Sequence, residues 1–109
     1  MKRFIVIYYA PQSFTKDMKN KSAEDMKKGQ EEWMHWAMVI GDGLVDMGAP
    51  LGNGEVIEKS KTSKSTSEIV GYSVLQAENI GEAAKMLQEH PHLKWSSGCR
   101  IEVFEAMKM

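Results

Sequence analysis

The chain has a single cysteine in 109 residues. Cys99 therefore has no partner for an internal disulfide, which fits a reducing compartment, and a cytoplasmic location is expected. A surplus of either charge is also missing: 14 Lys and Arg face 15 Asp and Glu, for a formal net charge of -1. That balance argues against nucleic acid or an anionic membrane as the default partner. No apolar run approaches the roughly 20 residues that a membrane span needs. The opening Met1-Lys2-Arg3-Phe4-Ile5-Val6-Ile7-Tyr8-Tyr9 lacks a small-residue cleavage site. Its β-branched and aromatic content reads as a strand, not a signal peptide. There is no internal repeat. The glycines between residues 41 and 54 have the wrong spacing for a phosphate-binding loop, and no helix carrying a lysine follows them.

What the chain does have is enough apolar content, 42%, for one domain over residues 1–109 with a modest core. Between Arg3 and Tyr9 both alternating sets of side chains are apolar. Such a strand is buried on both sides. Pro11 ends it, and Gln12 to Lys21 is a polar connector with Phe14 and Met18 as anchors. Ser22 caps a helix whose first turn carries Glu24 and Asp25, where the helix dipole favours negative charge. Met26, Gly29, Trp33, Trp36, Ala37 and Ile40 form its apolar stripe, and Gly41-Asp42-Gly43 ends it.

Leu44 to Met47 reads as a second strand, and Gly48 to Gly54 as a loop. Glu55 to Lys59 is a short strand extension, and Ser60 to Ser67 a polar hairpin tip. Glu68 to Ala77 is the third strand. Asn79 caps a second helix, with Glu82 placed to complete a capping box and Ile80, Ala83, Ala84 and Leu87 as its buried stripe. Pro91 stops that helix. His90 to Gly98 is a connector containing Trp95, and Arg100 to Met107 is the last strand.

The order β-α-β-β-α-β predicts an α+β fold, ferredoxin-like with an antiparallel sheet. Two helices cover only one face of such a sheet. The other face needs cover, and a second copy supplies it, which predicts a homodimer joined through its sheet faces.

Several short motifs recur in a fixed order: Trp33-x-x-Trp36, Leu44-Val45-Asp46-x-Gly48-x-Pro50-Leu51, Gly71-Tyr72-Ser73-Val74-Leu75-x-Ala77-Glu78, Glu82-Ala83-Ala84, His90-Pro91-His92-Leu93 and Ile101-Glu102-Val103. Together they resemble the YCII-related (YciI-like) proteins over most of the chain outside residues 10–22 and 55–67. The resemblance implies a dimeric α+β barrel and a small cytoplasmic protein. In some members of that family a His–Asp pair has been suggested as a catalytic dyad. This chain lacks the Asp-Gly-Pro-Phe signature of one branch, and its helix-borne His35 sits about one turn nearer the following strand than in the dyad-bearing members.

The candidate chemistry rests on few residues. His35 lies about 200° round the helix from Trp33, so it is either a general base or an exposed helix residue. Asp46, grouped with Leu44 on one strand face by strict alternation, is either an acid–base group with a pKa raised by burial or a solvated strand-end acid bonded to nearby amides. His90 and His92 are acid–base groups, or His90 caps a helix end. As metal ligands with Asp46 or Cys99 they are a weak signal, because a metal site wants three or four ligands. No metal and no cofactor is expected.

Trp33, Trp36, Tyr72 and Met47 either line a pocket for a small-molecule ligand or fill a core. Arg100 either meets an anionic substrate or pairs with an acid across the sheet. Cys99 is an ordinary thiol. The leading expectation is a small-molecule enzyme, such as an isomerase or lyase, in which Asp46 moves a proton with His90 or His92. The alternative is a non-catalytic ligand-binding or structural homodimer.

Overall fold

The computed structural model describes residues 1–14 and 20–109. Met18, an expected anchor, lies outside the described residues. The chain is α+β. A four-stranded antiparallel sheet is built from β1 (Lys2–Tyr9), β2 (Leu44–Pro50), β5 (Ile69–Ala77) and β6 (Arg100–Glu105), in the order β2-β5-β1-β6. Between β2 and β5 the chain makes a separate two-stranded hairpin, β3 (Glu55–Ile57) and β4 (Thr62–Lys64). The helices are α1 (Ala23–Ile40), α2 (Ile80–Leu87) and the short α3 (His92–Trp95).

The helix starts follow their caps. Ser22 Oγ accepts the Asp25 amide at 3.2 Å, and Asn79 Oδ1 accepts the Glu82 amide at 2.9 Å. Each such cap contributes about 1 kcal/mol. The expected capping box is not what Glu82 makes; its carboxylate lies 3.5 Å from Lys85 Nζ, on the outside of the helix. Gly41 closes α1 with φ +59°, and its amide reaches the Ala37 carbonyl. Glycine takes that left-handed backbone without a Cβ penalty.

The alternation of β1 sorts its side chains. Phe4, Val6 and Tyr8 are buried beneath the helices with Leu75, Ala77, Trp36, Ala83 and Leu87. Burying one such apolar side chain contributes roughly 1.5–3 kcal/mol. Trp36 also ties α1 to α2, because its indole N–H donates to the Met86 carbonyl at 2.9 Å. Along the stripe on α1 Trp36 is buried and Gly29, Trp33, Ala37 and Ile40 are half-buried, whereas Met26 is exposed. On α2, Ala83 and Leu87 are buried and Met86 joins the core, but Ile80 faces solvent.

The second strand departs most from its expected form. It continues through Gly48-Ala49-Pro50, taken from sequence as loop, and its pairing with β5 is interrupted twice. Leu44 opposes Leu75, but Asp46 opposes Val74, so Val45 is an extra residue. Gly48 has φ +79°, and a Cβ there would lie 1.7 Å from the Tyr72 carbonyl oxygen. These bulges bend an edge strand, and Pro50 is tolerated because β2 is an edge. The first bulge also reverses Asp46. It faces away from Leu44, not with it.

The second face of the sheet is bare. Cross-strand pairing sets Asp46, Val74, Ile5 and Phe104 in one row and Ala49, Tyr72, Ile7 and Glu102 in the next. Among the described residues no helix lies over them. Ile5, Ile7, Tyr72 and Val74 are only half-buried, and Phe104 is 52% exposed.

Candidate functional site

The residues that carry the candidate chemistry divide between the two sides of the sheet. On the helix side His90 and His92 are buried outright, at 0% and 1% exposure. His90 ends the turn after α2, with its amide bonded to the Leu87 carbonyl at 3.1 Å, and His92 opens α3. Pro91 joins them and directs both rings inward. The His92 backbone N–H donates to His90 Nδ1 at 3.0 Å. That nitrogen is therefore an acceptor, and the neutral ring of His90 carries its proton on Nε2. Nε2 is buried and has no hydrogen-bond partner among the described residues.

Its surroundings are aromatic. Trp33 and Trp36 have ring centroids 4.3 Å from that of His90, and Tyr8 lies at 5.0 Å. Among such rings an N–H gains only weak contacts, and a second proton would leave a charge with no counter-ion among the described residues. Burial holds the His90 imidazole down at about 3, and a charge on neighbouring His92 acts in the same direction.

His92 Nε2 lies 2.8 Å from the Tyr9 carbonyl, so it donates to the end of β1. Burial lowers its pKa as well, opposed by the backbone carbonyls of Tyr9 and Arg100. Trp95 closes the cluster at 5.6 Å from His92 and 5.7 Å from Trp33.

Tyr8 extends the cluster into a buried hydrogen-bond chain. Ser73 Oγ is 2.8 Å from the Met47 carbonyl, to which it donates, and 2.8 Å from Tyr8 Oη. A serine has one hydroxyl proton, so the tyrosine must donate to it. Burial pushes the Tyr8 phenol up to about 12, against the Ser73 bond. Ser73→Ala leaves the phenol and the carbonyl unpaired in the interior and should cost about 1–3 kcal/mol. A urea titration checks it; an unchanged midpoint would show that the chain is energetically idle.

On the opposite side, Asp46 is exposed and its Oδ1 accepts the Gly48 amide at 2.8 Å. Of the two alternatives for this acid, the solvated one bonded to a nearby amide matches the structure, and the bulge at Val45 turns it outward. The sheet stands between it and both histidines. His35 is exposed on α1, in an open hollow of about 380 Å³ with Met34, Met38 and Lys27. Trp33 and Trp36 are core residues, and Tyr72 lies on the bare face. Arg100 pairs with Glu68 at 3.3 Å and lies 4.2 Å over the Tyr9 ring. Cys99 is buried beside Ala10 and Phe14, where burial pushes its thiol up, opposed by Ser96.

Among the described residues no group of three His, Cys, Asp or Glu side chains is placed to hold a metal. No helix among them is long and apolar enough to cross a membrane. Compared with known proteins, the chain matches no family model and no curated protein.

Sequence reasoning missed three members of the buried cluster. Tyr8 was legible as part of the Phe4-Val6-Tyr8 face. Ser73 was the one polar residue on the alternating set Gly71, Ser73, Leu75, Ala77. Trp95 gave no signal, because nothing periodic surrounds it.

Proposed function

We propose that this chain is a YCII-related, ferredoxin-like protein that works as a homodimer through the bare face of its sheet, as a non-catalytic structural or small-ligand-binding module. One observation carries the reading. The histidines expected to move protons are packed at 0% and 1% exposure among Tyr8, Trp33, Trp36 and Trp95, while the acid expected to work with them is on the other side of the sheet. A general base must reach its proton within about 3 Å or through one water. Closed aromatic packing leaves His90 and His92 no such access.

The strand order β2-β5-β1-β6, with helices following β1 and β5, supports the ferredoxin-like reading. The make-up of the bare face supports the dimer. Val74, Ile5 and Ile7 lie on its two central strands, and the edge strands carry Asp46 on one side and Phe104 with Glu102 on the other. An apolar centre with charge at the rim is the anatomy of a protein interface.

The test is substitution within that face. Phe104→Asp is expected to give a folded monomer, read by light scattering with circular dichroism as the check on folding. A dimer that survives it, and also survives Ile7→Glu, would rule out this face as the interface.

A second reading keeps acid–base chemistry but moves it to the interface. Asp46 and Tyr72 lie in adjoining rows of the face that the second copy would cover. That reading predicts a ligand whose binding is lost in Asp46→Asn and untouched by His92→Ala.

A further inference from the structure

Among the described residues, the hairpin between β2 and β5 has no place in the packing of its own subunit. Every residue of β3 and of β4 is exposed, and they pair only with each other in a separate two-stranded sheet. Ile57 at its end is 80% exposed and Val56 is 40% exposed. An isolated two-stranded ribbon is marginal in water, and one that presents a β-branched pair to solvent is worse placed still. The radius of gyration, 15.2 Å, exceeds the roughly 13 Å of a compact domain of this length.

The bare sheet face has the opposite problem, since it is too small. Four strands about 4.8 Å apart, overlapping over some six residues of about 3.3 Å, span roughly 400 Å² in plan. A stable interface needs about 800 Å² per partner.

We infer that residues 51–68 form an arm that reaches over the second copy of this chain and packs the ribbon face carrying Ile57 against it. This rests on the dimer proposed above and adds a second contact surface to it. Reach permits the contact. The Ser65 amide bonds the Gly54 carbonyl at 2.9 Å, and the turn is closed by the Glu58 amide on the Lys61 carbonyl at 2.8 Å. From Gly54 to Lys59 the ribbon extends roughly 16 Å, against the roughly 10 Å that separates two sheets packed face to face. The arm springs from the β2–β5 end of the bare face, where the Leu51 amide meets the Val70 carbonyl at 3.0 Å. In a two-fold dimer each arm is repaid in kind by its counterpart, so one hairpin per chain supplies two contacts.

The test places the photo-crosslinking residue p-benzoylphenylalanine at position 57 and mixes that chain with an unmodified, isotopically heavy chain. The expected result is light–heavy cross-links, together with at least tenfold weaker dimerisation in Ile57→Asp and an unchanged circular dichroism spectrum. A dimer in which position 57 links only within its own chain, and in which Ile57→Asp leaves affinity intact, overturns the arm and spares the dimer. An unmodified chain that stays monomeric overturns both.

Discussion

Acidification is expected to destabilise this protein steeply from about pH 6.5 downward, a range set by the histidine values and not by those of its carboxylates. His90 ionises at about 3 in the folded chain, against 6.5 for an unhindered imidazole. Between those values the unfolded chain binds a proton that the folded chain refuses. Stability therefore falls as pH falls, by about 1.4 kcal/mol per unit for one such group. The contribution is complete above about pH 6.5 and largely lost near pH 3, a span of up to about 5 kcal/mol. His92, lowered for the same reason, adds in the same direction. Against a typical domain stability of about 5–15 kcal/mol, that loss decides whether the chain is folded.

Urea midpoints at neutral pH and near pH 5 measure the effect. His90→Phe should be less stable at neutral pH, since the His92 amide loses its acceptor, but its stability should depend less on pH. A wild-type midpoint that is flat across this range would mean that the pair is hydrated in solution and not enclosed.

Gly48→Ala should cost about 3 kcal/mol or more, a loss that one added methyl group rarely causes. Two effects combine. The residue holds φ +79°, which alanine adopts only under strain. The added carbon would also lie 1.7 Å from the Tyr72 carbonyl oxygen, and a backbone oxygen cannot swing aside as a flexible side chain can. Relief requires β2 to part from β5. The Asp46 carboxylate would then lose its amide, and Ser73 would lose the Met47 carbonyl. Hydrogen exchange should show faster exchange along β2 and β5, with β1 and β6 less affected. Wild-type exchange throughout would show that the bulge reshapes at little cost.

Much of the fold was legible because it is written in local patterns. The strand β1, the caps Ser22 and Asn79, and the glycine at the end of α1 each act over a few residues and appear where expected, whereas the second face of β1, expected to be buried, is only half-buried in the single chain. The bulges in β2 were not legible. Alternation assumes one residue per step, and the extra residue at Val45 is fixed by pairing with β5, far away in sequence. That single step put Asp46 on the wrong face and made an acid–histidine site look attainable.

The histidines failed differently. His90-Pro91-His92 reads as a polar connector, because nothing in its own neighbourhood reports that Tyr8, Trp33, Trp36 and Trp95 converge on it. Both nitrogens that could be satisfied use backbone partners, which sequence does not display. The β3–β4 ribbon was legible as a hairpin, but its apolar end was masked by the surrounding serines, threonines and lysines.

The proposed function requires that a second copy cover the bare face of the sheet. Sedimentation equilibrium of the unmodified chain at micromolar concentration tests this most directly. The prediction is a particle of twice the 12.3 kDa chain mass, converted to single chains by Phe104→Asp with its secondary structure intact. A stably folded monomer of 12.3 kDa across that range would contradict this and leave the apolar face of Ile5, Ile7 and Phe104 for some other partner.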